Sequence, residues 1–405
     1  MKLNHIYKSI ACGVLLAMTA TSCDLDYNPV DTYSDVTEGV NKTDEKPIFN
    51  SVQDVETSMV TLHKKFRDRQ EHWYVDKLLI GDAHSDNAYA GTTGAEVVPY
   101  ETNSIEGSNS VLKRDWDRFL GDIAVANRII VGCDQLKALS ESERGKYQSQ
   151  AKIFRAMVMF DMVRLWGNFP VITTVGGDIT EDNVEEMYPT YFPPQNTAEE
   201  AYAQIEKDLT EAVENPNTPT NDTSDKSILT KSVARAMLAK VYAEKPLRDY
   251  AKVIKYADEL AADGFDLVED FSDLWAYDTE KKDCRVRNTK EAILEAHFPP
   301  GSGNWCTWMF GRNLSNWDES FTWAKWITPS RDLIRLYEEQ GDTKRYNESV
   351  VWYDCGWSNY YPADHYAFMY KCRSAFNSII YLRYADILLL KAEAKIMGAV
   401  SYTHL

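Results

Sequence analysis

The stretch 141–166, ESERGKYQSQAKIFRAMVMFDMVRLW, constrains the fold more than any other part of the chain. It reads as one strong helix that stops at Gly167, with Pro170 soon after, and a helix of that length needs neighbours to cover its apolar side. Other segments supply them. Val55, Met59, Leu62 and Phe66 recur at helical spacing after Ser51-Val52-Gln53-Asp54, which predicts a helix from about 51 to 66. Trp116, Leu120, Ile123, Ala124, Asn127 and Ile130 share one face of a helix over 112–131. Thr197 with Glu200 three residues later forms a capping box that opens a helix over 197–213. A polar, proline-bearing loop is expected at roughly 174–196.

Residues 230–263 read as helix, short turn and second helix, with small Ala234, Ala239 and Ala243 on the first and Tyr250, Val253, Ile254 and Ala257 on the second. This alternation resembles one tetratricopeptide repeat. No three tandem copies stand at a fixed period, so an array broken by insertions fits better than a regular solenoid. Residues 379–397, IIYLRYADILLLKAEAKIM, predict a clean helix. Residues 265–375 are less regular, and within them 291–298 is a strand candidate and 330–346 an amphipathic helix and turn. The expected class is mostly α: a tetratricopeptide-like helical scaffold with an irregular, loop-rich lobe at about 265–375.

The first 23 residues, MKLNHIYKSIACGVLLAMTATSC, join a basic start to a short apolar run and then small residues before Cys23. The run is too short to cross a bilayer, so it reads as a secretory signal. The cysteine after Ala20-Thr21-Ser22 resembles a bacterial lipobox, in which case Cys23 carries the lipid. An ordinary signal peptide with a chance cysteine is the alternative. Residues 24–50 are polar with two prolines and read as a tether.

The 405 residues carry a net charge of -18, and loss of Lys2 and Lys8 with residues 1–22 takes it to -20. So acidic a chain does not suit nucleic acid or anionic lipid as a partner. Beyond Cys12 and Cys23, five cysteines remain (Cys133, Cys284, Cys306, Cys355 and Cys372), with no CxxC and no zinc spacing. Cys355 with Cys372 is one candidate pairing that the sequence leaves open.

Four segments resemble the SusD/RagB family of outer-membrane lipoproteins: CDLDYNP after the lipobox, AKIFRAMVMFDMVRLWGNFP at 151–170, TPSRDLIRLYEEQGDTKR at 328–345 and LRYADILLLKAEA at 382–394. The resemblance spans nearly the whole mature chain. It implies a SusD-like fold at 51–398, following a signal at 1–22 and a lipidated cysteine with tether at 23–50. It implies glycan capture at the cell surface together with a TonB-dependent, SusC-like transporter, over which the lipoprotein closes as a lid. Asp24 and Asp26 resemble a surface-export signal. Family members continue past 394, so residues 399–405 read as a non-native tail. Arg155 and Arg383, within expected helices, are read as holding buried ion pairs or capping neighbouring carbonyls, with Asp161 and Asp386 as candidate partners.

Sugar rings are held by aromatic faces and by fixed polar groups on loops. Two stretches have that composition. One is the segment with Trp73, Tyr74, Asp82, His84, Asp86, Asn87 and Tyr89, leading into a long Gly/Asn/Ser/Thr loop at 81–110. The other is 301–326, with Trp305, Trp308, Trp317, Trp323 and Trp326; seven of the 11 tryptophans lie between 305 and 357. Trp116, Trp166, Trp275, Trp323 and Trp326 are assigned to the core, and Trp305, Trp308 and Trp317 stay open between core and exposed platform. The expected ligand set is Trp73, Asp82, Asp86, Asn87, Tyr89, Trp305, Trp308 and Trp317. No cofactor is expected, though Asp82, His84 and Asp86 leave a loop-bound calcium ion open. No HExxH, GxSxG or glycine-rich phosphate loop is present, and no carboxylate pair is marked out for glycoside hydrolysis. Alternatives are a peptide-binding protein of the same architecture, a lipoprotein-anchored glycosidase, and an assembly scaffold without a small ligand.

Overall fold

Serine, threonine, aspartate and asparagine stand where the helices begin, and their side chains take up the free N–H groups of the first turn, each substitution to alanine costing about 1 kcal/mol. The computed structural model describes residues 47–91, 96–177, 184–278, 280–281, 283–298, 303–304, 327–356, 358–371 and 374–401. Capping boxes open α1 (Val52–Asp68, from Ser51), α4 (Glu141–Trp166, from Ser140) and α6 (Ala198–Glu214, from Thr197). Asn109 caps α3 (Ser110–Gln135), Thr230 caps α7 (Lys231–Ala243) and Asp249 caps α8 (Tyr250–Ala262). Short helices α2 (Val98–Glu101) and α5 (Val184–Tyr191) lie in the segments expected to be loops at 81–110 and 174–196. Gly167 ends α4 with φ of 72°, a conformation that side chains rarely adopt.

The helices share one core. α4 runs through its middle, with Ile153, Phe154, Ala156, Val158 and Met159 buried, packed by α3, α6 and α1. α7 and α8 form the expected helix hairpin on small Ala234 and Ala239, and Tyr242 and Tyr256 stack across it at 6.1 Å. The final helix α11 (Tyr384–Ser401) packs on α8 and α7. Its first residues depart from the expectation of one helix over 379–397. Residues 379–383 are strand β8 (Ile379–Arg383), antiparallel to β4 (Ala292–Ala296), which lies in the expected 291–298 strand. The partner decides here: a short β-branched and aromatic run suits either state until a strand lies beside it.

The remaining sheets are small and antiparallel. β1 (Ala88–Tyr89) pairs with β5 (Thr328–Pro329), β2 (Tyr277–Asp278) with β3 (Asp283–Cys284), and β6 (Val350–Tyr353) with β7 (Tyr366–Met369). Between β5 and β6 lie α9 (Arg331–Gln340) and α10 (Thr343–Ser349), the expected helix and turn. Separate apolar clusters sit under the β1–β5 corner and under the β6–β7 hairpin.

Both predicted arginine ion pairs exist, with other partners. Arg155 is 4 % exposed and donates two parallel bonds, of 2.8 and 2.7 Å, to Asp208 on α6, not to Asp161. It also donates to Asn127 Oδ1 at 2.7 Å, and Asn127 holds the carbonyl of Ile172 at 2.9 Å, so one guanidinium ties α3, α4, α6 and the next loop. Arg383 lies on β8 rather than in a helix, half-buried, and pairs with buried Glu291 at 3.1 Å. Asp386 pairs with Lys240.

The assigned core tryptophans pack inward. Trp116 and Trp166 meet edge to face at 5.2 Å against the main core, and Trp275 is half-buried beside Phe271. Trp323 and Trp326 lie outside the described residues. So do the signal at 1–22, Cys23 with Asp24 and Asp26, most of the tether, and residues 402–405. Cys133 and Cys284 are buried thiols; burial pushes them up to about 12 and about 11. Cys306 and Cys372, and with the latter the candidate pairing to Cys355, fall outside the described residues. Among the described residues no helix is long and apolar enough to cross a membrane.

Candidate functional site

The first stretch picked for sugar binding ends in β1, and the residues just after the second form its partner strand β5. β1 follows directly on Asp82, Asp86 and Asn87, and β5 follows directly on the tryptophan-rich stretch. Their register puts Ala88 opposite Pro329 and Tyr89 opposite Thr328. The Ser330 N–H donates to the Asn87 carbonyl at 3.0 Å, and the Ser330 hydroxyl donates to the Asp86 carbonyl. The same hydroxyl oxygen caps α9 by accepting from the Leu333 N–H at 3.0 Å. At the other end of the tryptophan-rich stretch, buried Asn304 is anchored to the carbonyls of Ser374 and Asn377. Trp305, Trp308 and Trp317 themselves lie outside the described residues.

Tyr89 is half-buried and stacks on Tyr360, with ring centroids 4.5 Å apart and planes 5° from parallel. The Arg331 N–H donates to the Tyr89 hydroxyl at 3.2 Å, and its guanidinium donates to the Tyr360 carbonyl while lying 4.7 Å over the Tyr361 ring. The Tyr360 hydroxyl donates to Glu101 at 2.8 Å, and the same carboxylate accepts the Ala90 N–H at 2.7 Å. Burial, then that bond, pushes the Tyr360 phenol well above its usual range. Asn359 donates to the Gly91 carbonyl at 3.1 Å and accepts from the Tyr366 hydroxyl at 2.7 Å. Nearby on the β6–β7 hairpin, Trp352 stacks on exposed His365 at 4.2 Å. These bonds fix an aromatic pair and its polar fringe on strand ends, the arrangement that ring recognition needs.

Asp86 and Asn87 are exposed and Asp82 is half-buried, accepting from the Asn87 amide at 3.4 Å. Burial raises the Asp82 carboxyl above its usual range, against the pull of Asn87 and Lys371. Among the described residues no group of three or more His, Cys, Asp or Glu side chains is placed to hold a metal ion.

Trp73 overturns its expectation. It is 1 % exposed, 4.8 Å from Phe66 and 5.8 Å from Tyr381, and so is a core residue and not a ligand platform. The reason is local: Glu71–Asp76 and Leu79–Ala83 wind as π-helix, which turns Trp73 onto α1 and α4. The same segment carries part of a buried chain of charges. Arg114 spans Asp76 and Asp115, His72 stands 3.5 Å from Asp115 and 3.6 Å from Asp161, and Lys77 meets Asp161 at 2.9 Å. Burial and the charge of Asp115 hold the Asp76 carboxyl well above its usual range, against Arg114. Burial would also raise Asp161, but Lys77 and His72 hold it below the usual range.

Sequence reasoning missed Tyr360, Tyr361, Arg331 and Glu101. The segment around the tyrosines, SNYYPADHY, carries the aromatic-with-Asn/Pro composition already used to pick the other two stretches. Two clefts elsewhere, of about 740 and 610 Å³, flank His63, and none of the sequence-selected residues lines either. In their walls His63 is paired with Gln150, His297 with Glu295 and Arg287 with Asp283.

The profile of a SusD-like family described as "Starch-binding associating with outer membrane" matches residues 33–243, just over half of the 405 residues. A SusD-like protein of Bacteroides ovatus is 25 % identical over 309 residues, 73 % of this chain and 50 % of that protein. The chain thus spans about half the length of the curated relative it matches. Among solved structures, a laminarin-binding SusD-like protein superposes with a TM-score of 0.63 at 19 % identity, over 85 % of this chain and 80 % of that one. Surface glycan-binding protein A from Bacteroides fluxus gives 0.64 at 19 %, over 85 % and 76 %. At these identities the likeness shows the fold.

Proposed function

This chain belongs to the SusD-like family, and from that premise we propose that it is a cell-surface glycan-binding lipoprotein that captures oligosaccharide and delivers it to a TonB-dependent, SusC-like transporter in the outer membrane. It binds and does not catalyse. The lipid sits on Cys23.

One observation carries the reading. The β1–β5 pair joins the Asp82–Tyr89 segment to the strand just after the tryptophan-rich stretch, and the stacked Tyr89–Tyr360 pair stands at that junction. The C–H faces of a sugar ring lie against a tyrosine ring there, and Asp82, Asp86 and Asn87 accept and donate to its hydroxyls. Tyr89, Asp82, Asp86 and Asn87 therefore remain in the proposed ligand set with Trp305, Trp308 and Trp317, joined by Tyr360; Trp73 leaves it. The laminarin-binding and glycan-binding proteins of the same fold support the ligand class.

Affinity electrophoresis through gels containing laminarin, starch, xylan or galactan tests the reading. At least one polysaccharide retards the folded protein, and Tyr89→Ala with Tyr360→Ala removes the retardation. A folded protein that no polysaccharide retards contradicts it. Co-purification of the full-length lipoprotein with a transporter barrel tests the delivery step separately.

A further inference from the structure

We propose that the glycan site extends to a second aromatic subsite at Trp352 and His365, so that its ligand is a linear oligosaccharide lying across both subsites rather than a single ring; the inference rests on the glycan reading above. It comes from the ring contacts of the β6–β7 hairpin. His365 lies on Trp352 with centroids 4.2 Å apart and planes 3° from parallel. Trp352 covers one face of the imidazole, and among the described residues no ring stacks on the other. His365 is exposed, so a sugar can reach that outer face. The stack is fixed before any ligand arrives. The Trp352 indole N–H donates to the Tyr346 hydroxyl at 2.8 Å. The His365 N–H donates to the Pro362 carbonyl at 3.1 Å and the Cys355 N–H to the Ala363 carbonyl at 2.8 Å, which holds the turn that carries the imidazole. A platform ordered in advance loses little freedom on binding.

One buried ring keys this stack to the tyrosine pair. Tyr361 meets Trp352 edge to face at 5.2 Å and Tyr89, tilted, at 6.4 Å. Its hydroxyl donates to the Pro329 carbonyl on β5 at 2.8 Å. The two stacks are therefore held two ring contacts apart, and Tyr361 is the wedge between them. Exposed Arg331 lies 4.7 Å over Tyr361 and gives one N–H group to the Tyr360 carbonyl. Its guanidinium carries further N–H groups that can donate to sugar hydroxyls. A single pyranose is about the size of one aromatic ring and covers one stack. A longer chain lies on the Tyr89–Tyr360 pair, passes Arg331 and reaches His365, adding a stacking contact that the short ligand lacks.

The test measures equilibrium binding of the intact chain to the disaccharide and the hexasaccharide derived from laminarin, starch, xylan and galactan. In the series that binds, the hexasaccharide is expected to be tighter than the disaccharide by about tenfold, the order of one added stacking contact. His365→Ala is expected to remove most of that ratio by weakening the hexasaccharide while the disaccharide is unchanged. His365→Phe keeps a ring on Trp352 and should restore it. Because His365 is exposed, both variants should unfold at the temperature of the parent protein. A hexasaccharide that binds no tighter than the disaccharide overturns the inference and leaves the glycan reading standing. So does a length dependence that survives His365→Ala. No binding to any member overturns both.

Discussion

Tyr89 and Tyr360 stack face to face at 4.5 Å, although one follows a π-helical turn near the start of the fold and the other sits in the hairpin of the loop-rich lobe. β5 lies beside β1, and Arg331 just after it donates its N–H to the Tyr89 hydroxyl and its guanidinium to the Tyr360 carbonyl. The pair is the point at which the helical scaffold and the irregular lobe share one polar, aromatic surface.

Tyr360→Ala removes one ring of the pair and a hydroxyl bond to Glu101. Aromatic pairs contribute about 0.5–1.5 kcal/mol beyond burial. Glycan affinity is expected to fall roughly tenfold, with a drop in melting temperature of only a few degrees. Tyr360→Phe keeps the stack and loses the bond to Glu101, and it should retain most of the affinity. Titration calorimetry beside thermal unfolding separates the two effects.

Arg155 fills a buried position between Asp208 and Asn127, so Arg155→Ala leaves a carboxylate inside the protein without its partner. That is expected to cost about 3–5 kcal/mol. Urea unfolding of the variant checks it, and Arg155→Ala with Asp208→Ala should recover part of the loss.

Trp73→Phe shrinks a fully buried ring. A smaller side chain in a packed core costs about 1–3 kcal/mol, while glycan affinity stays unchanged because the ring faces α1 and α4 rather than solvent. A variant of normal stability that loses binding would return Trp73 to the ligand set.

The buried charge chain gives stability a pH dependence with two limbs. The folded carboxyl of Asp76 is raised above its unfolded value, so the stability it contributes is complete at pH below the ordinary carboxylate range and is lost as pH rises through the elevated value. Asp161 is lowered, so its contribution is present above the ordinary carboxylate range and is lost as pH falls through the depressed value. Asp76→Asn should flatten the alkaline limb and Asp161→Asn the acid one. Denaturant midpoints measured from acid to alkaline pH decide both.

The helices were legible because their signals are local. The capping boxes at Thr197 and the stop at Gly167 sit within one or two turns of the residues that they organise, and they fall where expected. Residues 379–383 were misread because Ile379, Ile380, Tyr381 and Leu382 fit a helix or a strand, and only β4 distinguishes them. Partner choice was equally hidden. The sequence shows that Arg155 needs an acid but not that α6 brings Asp208 to it and the π-helical segment brings His72 and Lys77 to Asp161. For the site, composition picked Tyr89, Asp82, Asp86 and Asn87, whereas Tyr360, Arg331 and Glu101 reach Tyr89 only through tertiary pairing. Trp73 failed because a π-helical turn redirects a side chain that composition alone placed on a loop.

The most direct measurement is a crystal structure of the protein with an oligosaccharide taken from whichever polysaccharide retards it. The account predicts a sugar ring against Tyr360 or Tyr89, with hydroxyls in hydrogen-bond reach of Asp82 or Asn87. A sugar bound in the clefts beside His63, with the tyrosine pair bare, would contradict it.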